Sequence, residues 1–169
     1  MQWQSPPWWF RLFPLVICAV GSVTLLQAQS SPDAEGSSPE PTARERTLLT
    51  ASFAQEKLSQ WQKRLNLQDW NITIQVARAS ELKPKTLGNI HWNLDKKTAI
   101  IRVLDPADYH LPTFQAMLED VEFTVVHELI HLDLAPVLTD LQRSDANRRE
   151  EEHAVNHLTD ALLKLDRGK

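Results

Sequence analysis

The chain has 169 residues, 42% of them hydrophobic and 24% charged, with four Gly, one Cys and a formal net charge of −4. That length holds one core plus appendages, and a single Cys excludes both a disulfide framework and a cysteine-based zinc finger. The balance of 18 basic against 22 acidic residues gives no cationic field, which excludes nucleic acid as the main partner, and the isolated Gly88 cannot form a phosphate-cradling loop.

Residues 1–30 read as a signal peptide or an N-terminal membrane anchor. Arg11 is their only charged side chain, and residues 12–26 (LFPLVICAVGSVTLL) are apolar apart from Ser22 and Thr24. As a helix that run rises about 22 Å, short of the roughly 30 Å hydrocarbon core of a bilayer. With Ala28 and Ser30 behind it, it fits an export signal cleaved near those residues. The alternative is a tether through residues 12–26, with Trp3, Trp8 and Trp9 at the interface. Either way the expected location is exported, periplasmic or extracellular. Cleavage would also remove Cys18, which suits an oxidising compartment.

Residues 31–43 are rich in Ser, Pro and Glu, lack large apolar side chains and read as a flexible linker. The folded unit is expected over residues 44–169. Without Arg11 the remaining chain carries 17 basic and 22 acidic residues, a charge of about −5.

Apolar residues at Leu48, Leu49, Phe53, Leu58, Trp61 and Leu65 predict a helix over 47–65, closed by the Asn66–Asp69 stretch. Trp70 to Val76 alternates apolar and polar residues, the pattern of a strand with one wet face. Glu81 to Thr86 reads as a loop, Gly88 to Trp92 as a second strand, Asn93 to Lys96 as a turn, and Thr98 to Leu104 as a third strand. Three strands with short connections predict a mainly antiparallel meander. After Thr113, a good N-cap, a helix is expected from Phe114 to Leu134, stopped by Pro136 and apolar on nearly every side, hence buried. A last helix is expected over 145–164, with Ala154, Val155, Leu158, Ala161, Leu162 and Leu165 as its apolar stripe. Helix, three strands and two helices in that order make an α+β domain.

The chemistry lies in His127-Glu128-Leu129-Ile130-His131. Histidines at i and i+4 stand about 40° apart on a helix, one turn along, so both imidazoles reach one ion at the roughly 2.0–2.1 Å that zinc prefers. Glu128 points about 100° away from His127, where it can take a proton from a zinc-activated water without occupying the coordination shell. A pair of core histidines satisfied without metal would show the same spacing. However, three ionisable side chains in an apolar helix each cost a few kcal/mol when buried unpaired, and a cation removes that cost. The third ligand is expected from Glu150-Glu151-Glu152 in the last helix. Glu152 falls at the border between apolar stripe and cleft and ranks first. Glu151, aimed at the neighbouring helix, competes, and Glu150 reads as solvated charge. Asn156 is a candidate to orient a histidine. His153 and His157, a second i, i+4 pair, read as exposed. His91, Tyr109 and His110 are possible donors to an oxyanion, with no spacing to choose among them. Asp133 reads as an acceptor behind a ligand or as a helix-end charge.

The HELIH at 127–131 and EEHAVN at 151–156, some 20–25 residues apart, resemble the gluzincin branch of zinc metallopeptidases, and more closely its small single-domain minigluzincin and phage-type members. The similarity extends over about residues 61–165. It implies a zincin-like fold and a zinc-dependent peptidase acting on peptide or protein substrates. It further implies His127, His131 and a glutamate, here Glu152, as zinc ligands, and Glu128 as general base. It also implies an edge strand that pairs with extended substrate, for which Thr98–Leu104 is the candidate. The chain departs from the pattern in three ways. No Tyr or His motif follows the glutamate helix, Asn156 stands where larger members have Asp, and the third histidine and glycine of metzincins are absent. Small members can also be latent, with a chain segment blocking the cleft. The alternative to an enzyme is a non-catalytic, zinc-stabilised binding or regulatory module of an exported protein.

Overall fold

A computed structural model of the chain describes residues 41–139 and 144–168. The expected signal or anchor segment over 1–30, and the linker up to residue 40, lie outside the described residues. No helix among the described residues is long and apolar enough to cross a membrane. The domain is α+β: helix α1 (Ala43–Arg64), strands β1 (Asn71–Ala77), β2 (Gly88–Asn93) and β3 (Thr98–Leu104), then helices α2 (Phe114–Leu138) and α3 (Asp145–Asp166). Single 3-10 turns at Ala79–Glu81 and Pro106–Asp108 follow β1 and β3.

Helix α1 starts four residues earlier than its apolar spacing suggests, because Thr42 and Glu45 form a reciprocal capping box. The Glu45 N–H donates to Thr42 Oγ1 at 3.3 Å, and the Thr42 N–H donates to Glu45 Oε2 at 2.7 Å. Thr50, Ala54, Leu58 and Trp61 make the buried stripe, three to four residues apart. The helix ends where Asn66 adopts a left-handed φ of 56°, with Leu67 N–H bonded to Gln62 O and Asn66 N–H to Lys63 O, a Schellman closure. Gln62 Nε2 then donates to the carbonyls of Leu67 and Trp70, fixing the entry into β1.

The sheet corrects the expected antiparallel meander. Its order is β1-β3-β2, with β3 parallel to β1 and antiparallel to β2. The β2–β3 hairpin forms as expected, with Asn93 Oδ1 accepting from the Lys96 N–H inside the turn. β3, however, inserts between the other two strands. The cause is burial: TAIIRVL supplies Ile101 and Val103, both fully buried, whereas β2 carries Asn89, His91 and Asn93 and suits an edge. β3 is therefore bonded on both sides and has no edge to offer a substrate, contrary to its assignment from family resemblance.

Helices α1 and α2 pack on the sheet, and α3 packs on α2. The core joins Leu58 and Trp61 of α1, Ile101 and Val103 of β3, Val125, Leu129 and Leu132 of α2, and Val155 and Leu163 of α3. Two departures concern the helices. Pro136 does not stop α2, which runs on to Leu138. Proline forfeits only its own N–H, and the Thr139 N–H and hydroxyl both donate to Ala135 O to close the final turn. The buried stripe of α3 is Val155, Thr159 and Leu163, rotated from the expected one, leaving Ala154, Leu158 and Leu165 exposed. Thr159 is tolerated there because its hydroxyl donates to Val155 O at 2.8 Å.

Two contacts fix the position of α2. Gly88 at the start of β2 leaves no room for a side chain: a Cβ there would stand 2.4 Å from Thr124 Cγ2 and 2.6 Å from Arg102 O. Three residues before His127, then, α2 lies against the β2 backbone. On the other side the buried Glu122 ties three helices together. Its Oε1 accepts from Lys57 Nζ at 3.0 Å and Trp61 Nε1 at 3.3 Å, both on α1, and its Oε2 from Arg167 Nη2 at 3.0 Å, just past α3.

Burial pushes the Glu122 carboxyl pKa up, but the bonds from Lys57, Arg167 and Trp61 outweigh it, and the net shift is downward. A depressed folded pKa stabilises the protein above the ordinary carboxylate range, and that stabilisation is lost as pH falls through the folded value. Glu122→Gln is expected to cost about 2 kcal/mol in urea unfolding at pH 7, with the difference from wild type shrinking below the ordinary carboxylate pKa. Equal unfolding midpoints at pH 7 would contradict the three-helix tie.

Candidate metal centre

His127 and His131 occupy consecutive turns of α2, with ring centroids 4.7 Å apart and planes at 70°. Glu152, from the second turn of α3, brings its carboxylate to the same point. His131 Nε2 lies 3.1 Å from His127 Nε2, and Glu152 Oε2 lies 3.4 Å from the first-turn imidazole and 3.6 Å from the second. Three ligands on a tetrahedral zinc with bonds near 2.0–2.1 Å stand about 3.3 Å from one another. The triangle of donor atoms has that size, so these three residues could hold a metal ion.

Proton bookkeeping gives a second test of fit. His131 Nδ1 lies 3.0 Å from Glu151 Oε1, a contact in which the ring N–H donates and the carboxylate accepts. That leaves His131 Nε2 with a bare lone pair directed at His127 Nε2 and the Glu152 carboxylate. Burial, followed by the neighbouring His131, lowers the His127 pKa, which favours the neutral ring that can act as a ligand. His127 Nδ1 is buried without a hydrogen-bond partner. Three electron-rich atoms converge with at most one proton among them. A divalent cation could satisfy all three.

Glu151 and Glu152 thus divide the roles between which the sequence left them competing. Glu151 continues the i, i+4 series of the buried stripe (151, 155, 159, 163), so its side chain, 13% exposed, meets α2 and fixes the tautomer of His131. Glu152, 44% exposed, turns one position toward the cleft and joins the triangle. Glu150 is exposed, as expected. Asn156 interacts with the His127 ring in the sense that favours its charged form.

Glu128 is buried, 7% exposed, and lines a cleft of about 340 Å³ together with His131, Glu151 and Glu152. Burial, and secondarily the charge of Glu152, push its pKa up to about 8, while Lys83 opposes the rise. That rise favours the protonated carboxyl at neutral pH. A dication beside it favours the carboxylate, so Glu128 stands close to the balance a proton carrier needs. The opposite wall of the cleft is β2, with Asn89, Ile90 and Trp92.

His91, Tyr109 and His110 do not line this cleft. Tyr109 packs against a small cluster of Ala77, Leu82 and Leu104, where burial raises its pKa and its hydroxyl has no partner. His153 and His157 are exposed, with ring centroids 4.2 Å apart, and Asp133 is exposed. Sequence reasoning missed Asn89, whose Oδ1 is buried at the cleft with no partner, and the cations Lys83 and Arg148, which also line it. The available signal for Asn89 was a polar residue inside an otherwise half-apolar strand.

Glu151→Ala frees the His131 ring and is expected to weaken divalent-metal binding about 10- to 100-fold in competition with a chromophoric chelator, with the fold retained by circular dichroism. An unchanged affinity would show that the contact to His131 Nδ1 does not position the ligand.

Comparisons of the chain with models of known protein families, with curated proteins and with solved structures returned no match, so the chemistry of this centre is read from its own side chains.

Proposed function

We propose that the chain is a zinc-dependent peptidase with a zincin-like, gluzincin-type site, exported or tethered outside the cytoplasm by its N-terminal segment. The observation that carries this reading is the convergence of His127 Nε2, His131 Nε2 and Glu152 Oε2 beside the buried carboxyl of Glu128. His127, His131 and Glu152 would hold the zinc. Bound there, zinc supplies Lewis-acid polarisation of a carbonyl and a water of lowered pKa. Glu128 accepts a proton at its carboxylate from the attacking water and returns it to the departing amine nitrogen. Glu151 holds the His131 ring by its Nδ1 proton throughout.

Substrate placement falls to β2 rather than β3. Among the described residues β2 pairs only with β3, so its outer edge is open, and it forms one wall of the cleft. An extended peptide can add to that edge by main-chain hydrogen bonds. Asn89 Oδ1, buried and unpaired, is an acceptor suited to a peptide N–H.

One observation favours the non-catalytic alternative, a zinc-stabilised binding or regulatory module. No Tyr or His lines the cleft among the described residues apart from the ligand His131, so no such side chain is poised at an oxyanion. That alternative predicts a melting temperature that collapses with chelator and no turnover.

The deciding experiment measures zinc content and hydrolysis of an unfolded protein substrate by the full chain and by Glu128→Gln. The expected result is zinc retained in both and hydrolysis reduced about 100-fold or more in the variant. Equal hydrolysis, or none by the zinc-loaded wild type, would contradict the peptidase reading.

A further inference from the structure

We infer that the cleft selects peptides that bring a carboxylate into it, and that Lys83 and Arg148 are the side chains that read this group. The inference rests on the peptidase reading for its substrate class, but its evidence is the state of the charges around the cleft. Of the acidic side chains there, Glu152 belongs to the donor triangle, Glu151 to His131, and Glu128 to proton transfer. Among the described residues neither Lys83 nor Arg148 makes a side-chain hydrogen bond or ion pair, and Lys83 acts on Glu128 only through its charge. Outside these roles the one lining acid among the described residues is Asp145.

Their placement suits a shared ligand. Lys83 stands in the connection that leads from the 3-10 turn at Ala79–Glu81 into β2, on the wall where a peptide would pair. Arg148 lies four residues before Glu152 on α3, and therefore on the same helical face, one turn along from the donor triangle. Both side chains line the cleft that β2 walls. A guanidinium takes a carboxylate through two parallel N–H bonds, and an ammonium adds a point charge beside it. The first turn of α3, whose N-cap Ser144 also lines the cleft, contributes partial positive charge in the same region.

The carboxylate can come from an Asp or Glu side chain or from the C-terminus of a peptide. Three fluorescent peptides of one neutral sequence distinguish them: a C-terminal amide, the same amide with an internal Glu, and the free acid. Binding is measured by anisotropy to the zinc-loaded full chain carrying Glu128→Gln, so that nothing is cleaved. One or both carboxylate peptides should bind about tenfold tighter than the amide, and which of them does so names the source. The advantage should shrink at about 0.5 M salt and vanish when Lys83→Met and Arg148→Met are added together. Attraction of a carboxylate to zinc is common to both chains and cancels in that comparison. Both residues are exposed, and each single substitution, which should lose part of the advantage, serves if the pair perturbs folding. Equal binding of all three peptides, or an advantage that survives both substitutions, overturns the inference. Because the readout is binding, it stands or falls separately from the hydrolysis experiment.

Discussion

Two imidazole nitrogens and a carboxylate oxygen face one another across little more than 3 Å, with the Nδ1 N–H of His131 hydrogen-bonded to Glu151. Such an arrangement is stabilised by a positive charge among its members, because lone pairs brought together lose part of their hydration. The rest of the domain supplies the packing that holds these groups together. Glu128 feels the same field: burial and the Glu152 charge together favour its protonated form at neutral pH.

What holds the groups together is the position of α2, the helix between the sheet and α3. Gly88 lets it lie against β2 at Thr124, and Glu122 anchors it to α1 and to the end of α3. Between those two anchors and Ala135 the helix buries Val125, Val126, Leu129 and Leu132, so His127 and His131 cannot turn away without disrupting the core. The β2 edge is carried to the site by the same close approach, which makes one glycine responsible for both the seat of the helix and the wall of the cleft.

Local features were legible in the sequence, and relations between distant segments largely were not. The β3 bounds follow from TAIIRVL bounded by turn residues. The i, i+4 histidines and Glu152 follow from helical geometry, since residues of one element keep fixed angles to each other. Strand order was not legible, because alternation states which face is wet and not which neighbour is bonded; the greater apolar character of β3 over β2 was the clue to its central place. Pro136 misled because its cost depends on how many bonds remain beyond it, and near the end of a helix that number is small. The α3 stripe came out rotated because Thr159 counts as polar until its hydroxyl is seen bonded to Val155 O. Glu151 was weighed as a ligand rather than as the partner of His131, and that choice depends on a fraction of a turn that only packing fixes.

The most direct measurement is zinc K-edge absorption spectroscopy of the purified full chain, together with its metal content, for wild type and His131→Ala. The account predicts one zinc per chain in a shell of two imidazole nitrogens and oxygen ligands, with most of the metal lost in the variant. A wild-type protein that stays free of zinc when dialysed against it, or a zinc shell unchanged by His131→Ala, would contradict it.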